Sequence, residues 1–186
     1  MALVALSIGS NTQRTRHISA CLDALLDTFG KLSASRVYES KPVGLKRHQI
    51  SANFYNLAVA LECDWPVERL QAYCKALEAR QGRGEPRGQA PRSNGDAATH
   101  LVQPLDVDIL SVGALTGIHG GVELPRRDML RHAFVLRPLA ELLPEQRHPL
   151  SQRRYAALWQ EFDAASQPLW PVAFEWRYAL PYFAQA

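Results

Sequence analysis

The sequence predicts an α+β fold: a ferredoxin-like split β-α-β sandwich with two helices on one sheet face and a C-terminal helix and strand extension. Three observations carry this. Hydrophobic periodicity switches between two and three-to-four in the order β-α-β-β-α-β over residues 2–110. That series ends in Leu105-Asp106-Val107-Asp108-Ile109, where two acids alternate with apolar residues. Beyond residue 145 the chain turns aromatic and carries three of its four tryptophans.

Residues 2–8 are an apolar run of strand length, read as a buried first strand. Gly9-Ser10-Asn11 breaks the run, and Ser10 with Gln13 three positions on has the form of a capping box. Ile18, Cys21, Leu22, Leu25, Leu26 and Phe29 recur at three and four, which predicts an amphipathic helix ended by Gly30. Residues 34–40 are the second strand, stopped by Lys41-Pro42-Val43-Gly44, and 45–52 read as a loop. Residues 53–62 are the third strand. Tyr55, Leu57, Val59 and Leu61 suit a core under a helix, whereas Phe54, Asn56, Ala58 and Ala60 suit either the floor of a site or a thinly covered outer face.

Asp64 and Pro66 signal a second helix whose stripe is Val67, Leu70, Cys74 and Leu77. Residues 83–102 hold glycines and prolines with almost no apolar run, and are expected to form a mobile flap over a site. After Gly113 a short strand is expected over 118–124, then a basic segment from Pro125 and a short helix over 138–144. The fold plan leaves the second sheet face free for ligand. The tail shows an amphipathic helix with Tyr155, Leu158, Trp159 and Phe162, then an alternating Phe174, Trp176, Tyr178, Leu180 and Tyr182. Residues 1–145 therefore read as one α/β domain, and 146–186 as an extension packed on it or on a partner subunit, with a homodimer contact through the tail expected.

Hydrophobic content of 47% and charged content of 21% suit a globular domain with a real core. A net charge of +3 is too small for a dedicated nucleic-acid binder, and no stretch approaches a membrane span. No basic leader opens the chain, so a cytoplasmic protein is expected. Cys21, Cys63 and Cys74 are odd in number and widely spaced, giving neither a disulfide framework nor a zinc motif. No Walker loop, GxGxxG, GxSxG or HExxH occurs. Arginines cluster at 80, 83, 87 and 92 and again at 126, 127, 131 and 137, which suits a polyphosphate or a solvated basic loop.

Asp106 and Asp108 at i and i+2 of a strand point the same way, about 6.5–7 Å apart. Like charges repel there, and Asp is a poor strand former. A divalent cation removes the repulsion, and oxygen donors without nearby Cys or His favour Mg²⁺ or Mn²⁺. A solvated edge strand is the other reading.

Several stretches then align in order across residues 1–145: Ile8-Gly9-Ser10-Asn11, Tyr38 to Gly44, Asn53 to Leu61, Glu78 to Arg83, Leu105 to Ile109, Leu124 to Met129 and Phe134 to Leu139. Together they resemble the 6-hydroxymethyl-7,8-dihydropterin pyrophosphokinases of folate biosynthesis. The resemblance implies transfer of pyrophosphate from ATP to the hydroxymethyl group of the pterin, releasing AMP. It implies two Mg²⁺ ions on Asp106 and Asp108, and a pterin sandwiched between Phe54 and Phe134. Asn56 would pair with the pterin edge, and Ser40, Pro42 and Val43 would complete the pocket. Arg83 and Arg92 would act on the phosphates, with Lys75, Glu78, Arg126, Arg131 and His132 at ATP-side positions.

The chain departs from the family pattern in four places. The tryptophan- and arginine-bearing run expected just before the acidic strand is Leu101-Val102-Gln103-Pro104, and Pro91-Arg92-Ser93 is its candidate equivalent, displaced by about ten residues. Arg126 stands where the family has a histidine, and His132 where it has an arginine. The aromatic tail runs past the family's usual end. A divergent paralogue using another pterin, and a non-catalytic binding module, are the alternatives these departures leave.

Overall fold

The computed structural model describes residues 1–82 and 99–184. In chain order the elements are β1 (Ala2–Ser10), α1 (Arg14–Phe29), β2 (Ser33–Ala34), β3 (Tyr38–Ser40), β4 (Gln49–Ser51), β5 (Phe54–Cys63), α2 (Val67–Arg80), β6 (Thr99–Leu101), β7 (Asp106–Val112), β8 (Gly117–His119), β9 (Val122–Leu124), α3 (Ala133–Leu142), α4 (Tyr155–Gln160) and β10 (Leu169–Pro171). The main sheet runs β10-β3-β5-β1-β7, every neighbour antiparallel, with β2 also paired to β5.

Alternation decides which residues go under the helices. Val4, Leu6 and Ile8 of β1, Leu57, Val59 and Leu61 of β5, and Val107 and Ile109 of β7 share one buried face. α1 covers it with Ile18, Cys21, Leu22 and Leu25, and α2 with Val67, Leu70, Cys74 and Leu77. All three cysteines are free and buried. Burial pushes the Cys21 thiol up, and that of Cys74 to about 12, so both behave as small apolar side chains.

The other sheet face is not left free, which corrects the expectation. α3 lies across Ala5, Ala58, Ala60 and Leu110, bringing Val135, Leu136, Leu139 and Leu142, and α4 adds Tyr155. Three alanines make that end of the sheet shallow enough for a helix to sit close. Apolar periodicity also outweighs the proline signal: α3 begins at Ala133 rather than 138 and keeps Pro138 inside it, buried.

Other boundaries shift for local reasons. Ser10 still belongs to β1, four residues ahead of α1, so no capping box forms. Its Oγ donates to Thr12 O at 3.1 Å, and the helix starts after a left-handed Gln13. The second strand divides because Ser35 Oγ, not a backbone carbonyl, accepts the Ala58 N–H at 3.0 Å. The stretches 45–52 and 99–102, both read as loop, contribute the parallel pair β4–β6. Residues 118–124 form a hairpin, β8–β9, because Gly120 and Gly121 take φ of 55° and 78°.

The tail returns over the domain. β10 pairs with β3, while Phe174, Trp176, Leu180 and Tyr182 pack against the core under α1 and α2. Trp176 Nε1 donates to Asp23 Oδ1 at 2.8 Å. The alternating strand expected over 174–182 is absent except for a bridge between Tyr182 and Ala34; Pro181 within the stretch has no N–H to give a ladder. Among the described residues no helix is long and apolar enough to cross a membrane.

Candidate active site

The end of the second face that α3 does not roof is built by three strands in register. Asn56 stands opposite Gly9, and Gly9 opposite Asp106. One pleat along, Ala58, Ser7 and Asp108 form the next row. The central positions are small, so the floor stays open between the amide and the acids. A Cβ added to Gly9 would lie 3.3 Å from Asn56 Oδ1 and 3.9 Å from Phe54 Cδ1. Phe54 rises from β5 and Phe134 from the first turn of α3. With Ser40, Lys41 and Val43 they line a cleft of ≈ 220 Å³ that reaches Asp106 and Asp108.

The acids sit in a strained electrostatic setting. Burial, then the neighbouring Asp106, pushes the Asp108 carboxyl up to about 6, against the pull of Arg126. Arg126 Nη1 lies 3.1 Å from Asp108 Oδ1, and its Nε 2.9 Å from Asp128 Oδ1. The guanidinium therefore spans two carboxylates at the mouth of the cleft. Its attraction only partly offsets the loss of water around Asp108.

Asn56 is oriented from the side. Its Nδ2 donates to Ser40 Oγ at 2.9 Å and lies 3.4 Å from Tyr38 O, which ties β5 to β3 and turns Oδ1 toward Gly9. Asn11 plays the matching part at the end of β1. Its Nδ2 donates to Leu101 O at 2.8 Å and Ser51 Oγ at 2.9 Å, and its Oδ1 accepts the Gln103 N–H at 2.6 Å. The approach to β7 is thereby held against β1, and Leu101 and Gln103 join the cleft wall.

Several expected residues lie elsewhere. Glu78 does not face the cleft. It is buried, and its Oε1 accepts the Val107 N–H at 2.9 Å, on the residue between the two acids. Lys75 Nζ holds the same carboxylate at 2.9–3.0 Å. α2 thus grips the edge strand from behind, and the Lys75 and Glu78 charges act on Asp108 in opposite senses. His132, by contrast, does line the cleft, and its imidazole stacks on Phe134, centroids 4.9 Å apart and planes 18° apart, so one face of that phenyl ring is already covered. Arg131 is exposed and outside the cleft, where its carbonyl accepts from Gln167 Nε2 at 2.9 Å. Pro42 joins the lining residues Lys41 and Val43 without lining the cleft itself. Arg83, Arg92 and the flap expected over 83–98 fall outside the described residues. Ser7, Gly9, Lys41, Gln103 and Asp128 are cleft residues that the sequence reading did not single out. For Ser7 and Gly9 the signal was available, since they are the outward positions of the first strand.

Comparison with known proteins bears on this cleft. The family model of 7,8-dihydro-6-hydroxymethylpterin-pyrophosphokinase (HPPK) matches residues 5–144. The chain belongs to this family. The chain is 33% identical over 150 residues to the 2-amino-4-hydroxy-6-hydroxymethyldihydropteridine pyrophosphokinase of Pseudomonas aeruginosa, covering 78% of this chain and 83% of that one. It is 32% identical over 148 residues to the enzyme of the same name from Methylorubrum extorquens, covering 78% and 85%. Its fold resembles the crystal structure of wild-type Plasmodium falciparum HPPK-DHPS, with a TM-score of 0.61 at 12% identity, covering 86% of this chain. The overlay covers 44% of that Plasmodium falciparum chain, so the present chain corresponds to less than half of it. The family match stops at residue 144, ahead of α4, β10 and the aromatic tail.

Proposed function

We infer that this chain carries out the reaction its family is named for. The hydroxymethyl oxygen of 6-hydroxymethyl-7,8-dihydropterin attacks the β-phosphorus of ATP, the bond to the α-phosphate breaks, AMP leaves, and the hydroxyl proton passes to solvent. One observation carries the reading: an amide, two phenyl rings and a pair of acids share one cleft, built by the register of three strands and the first turn of α3. The ring-and-amide end suits a flat heterocycle with a hydrogen-bonding edge. The acid end suits a metal-bound triphosphate.

We assign Asp106 and Asp108 to two Mg²⁺ ions. Among the described residues no group of three or more metal-binding side chains occurs. That donor set fits Mg²⁺, which commonly takes one or two carboxylates and completes its shell with water and substrate phosphates. The elevated Asp108 carboxyl is what a pair of acids awaiting positive charge looks like. Bound there, the ions would neutralise charge on the triphosphate. Phe54 and the open face of Phe134 would hold the pterin ring, with Asn56 and the backbone at Ser40, Pro42 and Val43 along its edge. Arg126 would move from Asp108 to the phosphates as the ions bind. His132 serves better as backing for Phe134 than as a phosphate donor, and Lys75 and Glu78 better as supports of β7. Arg83, Arg92 and Arg131 stay assigned to the phosphates by family resemblance.

The strand order β3-β5-β1-β7 with helices after β1 and β5 supports the ferredoxin-like split β-α-β plan, with 146–186 as an extension of a 1–145 domain. Cytoplasmic residence and a homodimer through the tail belong to the same reading. The dimer would use the rings that stay exposed, Trp170, Tyr178 and Phe183. The test is an assay with ATP, Mg²⁺ and the dihydropterin. AMP should form, and Asp106→Ala and Asp108→Ala should abolish it with the fold intact. Formation of ADP, or unchanged turnover in either variant, would overturn the reading.

A further inference from the structure

We propose that the segment following the family match is a working part of the pterin pocket, with Gln167 as a positioning residue for Phe134. The proposal rests on the pterin reading of the cleft. α3 has no side-chain cap of its own: His132 at its N-cap position makes none. The first N–H of the helix, on Ala133, donates instead to Gln167 Oε1 at 3.0 Å, across 34 residues. Gln167 Nε2 donates in turn to Arg131 O at 2.9 Å. One amide thus satisfies a donor and an acceptor on either side of His132, as only an amide oriented this way does. Phe134 is the next residue into that turn, and His132 stacks on it.

Two residues further on, the same segment reaches the opposite wall. Leu169, Trp170 and Pro171 pair with Ser40, Glu39 and Tyr38, and the Val172 N–H donates to Val37 O at 2.9 Å. Without β10, the three-residue β3 would be the sheet edge, and Ser40, which orients Asn56, would lie at its free end. Residues 167–172 therefore span the pocket from the Phe134 wall to the Ser40 wall and set the separation of the two. The acids lie on β7 at the far edge of the sheet, beyond the reach of this brace.

The location of the brace predicts a selective effect. In the full chain, Gln167→Ala and Gln167→Met should raise the KM for the pterin about five- to tenfold, the loss expected for one or two hydrogen bonds that hold a binding wall. The KM for ATP should change by less than about twofold. Gln167→Glu keeps the acceptor for Ala133 N–H but sets a carboxylate oxygen against Arg131 O, and should fall between Ala and the parent. The fluorescence of oxidised 6-hydroxymethylpterin gives its Kd without turnover. Hydrogen exchange on ligand-free protein reads segments 37–41 and 131–138 in the same variants, and both should exchange faster than in the parent. Unchanged exchange at 131–138, or pterin and ATP constants that rise together, would overturn the proposal. A parent that makes no AMP defeats the pyrophosphokinase reading instead, and the exchange measurement still decides the brace.

Discussion

Replacing Asp108 by asparagine should make the metal-free protein more stable while abolishing its turnover. In the folded chain burial and the Asp106 charge raise the carboxyl from 3.8 to about 6. A carboxyl with a raised folded pKa binds its proton more tightly in the native state than in the unfolded one. The native state is therefore penalised once the group ionises, fully above pH 6, and the penalty fades as pH falls toward 3.8. Two pKa units correspond to about 3 kcal/mol at most. The side chain is 24% exposed and pairs with Arg126, so solvent screening leaves about 1–2 kcal/mol. Asparagine has nearly the same shape and no charge, and removes this penalty. For a chain of this size the gain is a Tm rise of about 3–6 °C at pH 8. Thermal unfolding by circular dichroism, with a chelator present and pH stepped from 4 to 8, measures it. The two curves should converge toward pH 4. Added Mg²⁺ with nucleotide should raise the Tm of the parent and leave the variant where it was. An asparagine variant less stable than the parent at pH 8, or a gap that does not change with pH, would mean that the Arg126 contact outweighs burial, and the account of the acid pair would fail.

The floor and its supports give three further expectations. Gly9→Val should drive a branched side chain into Asn56, only 3.3 Å from the first added carbon, and weaken pterin binding by at least about tenfold in a fluorescence titration while ATP binding holds. Glu78→Ala should leave the buried Val107 N–H without its acceptor and lower stability by about 2 kcal/mol in urea denaturation, and Glu78→Gln should recover most of it by restoring an oxygen. Arg126→Ala removes the group that opposes the rise at Asp108, so the midpoint of pH-dependent Mg²⁺ binding should move upward; calorimetry that finds it unmoved or lowered would contradict the ion pair.

Read alone, the chain specifies which residues alternate and which recur every third or fourth position. From that follow the order of β1, α1, β3, β5, α2 and β7, the core faces of β1, β5 and β7, and the shared side of Asp106 and Asp108. These are properties of neighbouring residues, written in local periodicity. The roof over the alanine end of the sheet was less visible, because the prolines around 138–144 masked a helix that the apolar stripe of 133–142 supports. Folding alone decides the partners. Glu78 meets Val107 across 29 residues, Gln167 meets Ala133 across 34, and Arg126 settles on Asp108 rather than in solvent. A hydrogen bond or ion pair needs only that two groups arrive within about 3 Å, and no repeat along the chain records an arrival of that kind. The sites of the acids and rings are therefore readable from their own segments, but what holds them is set by chain-distant groups that the packed sheet and helices bring together.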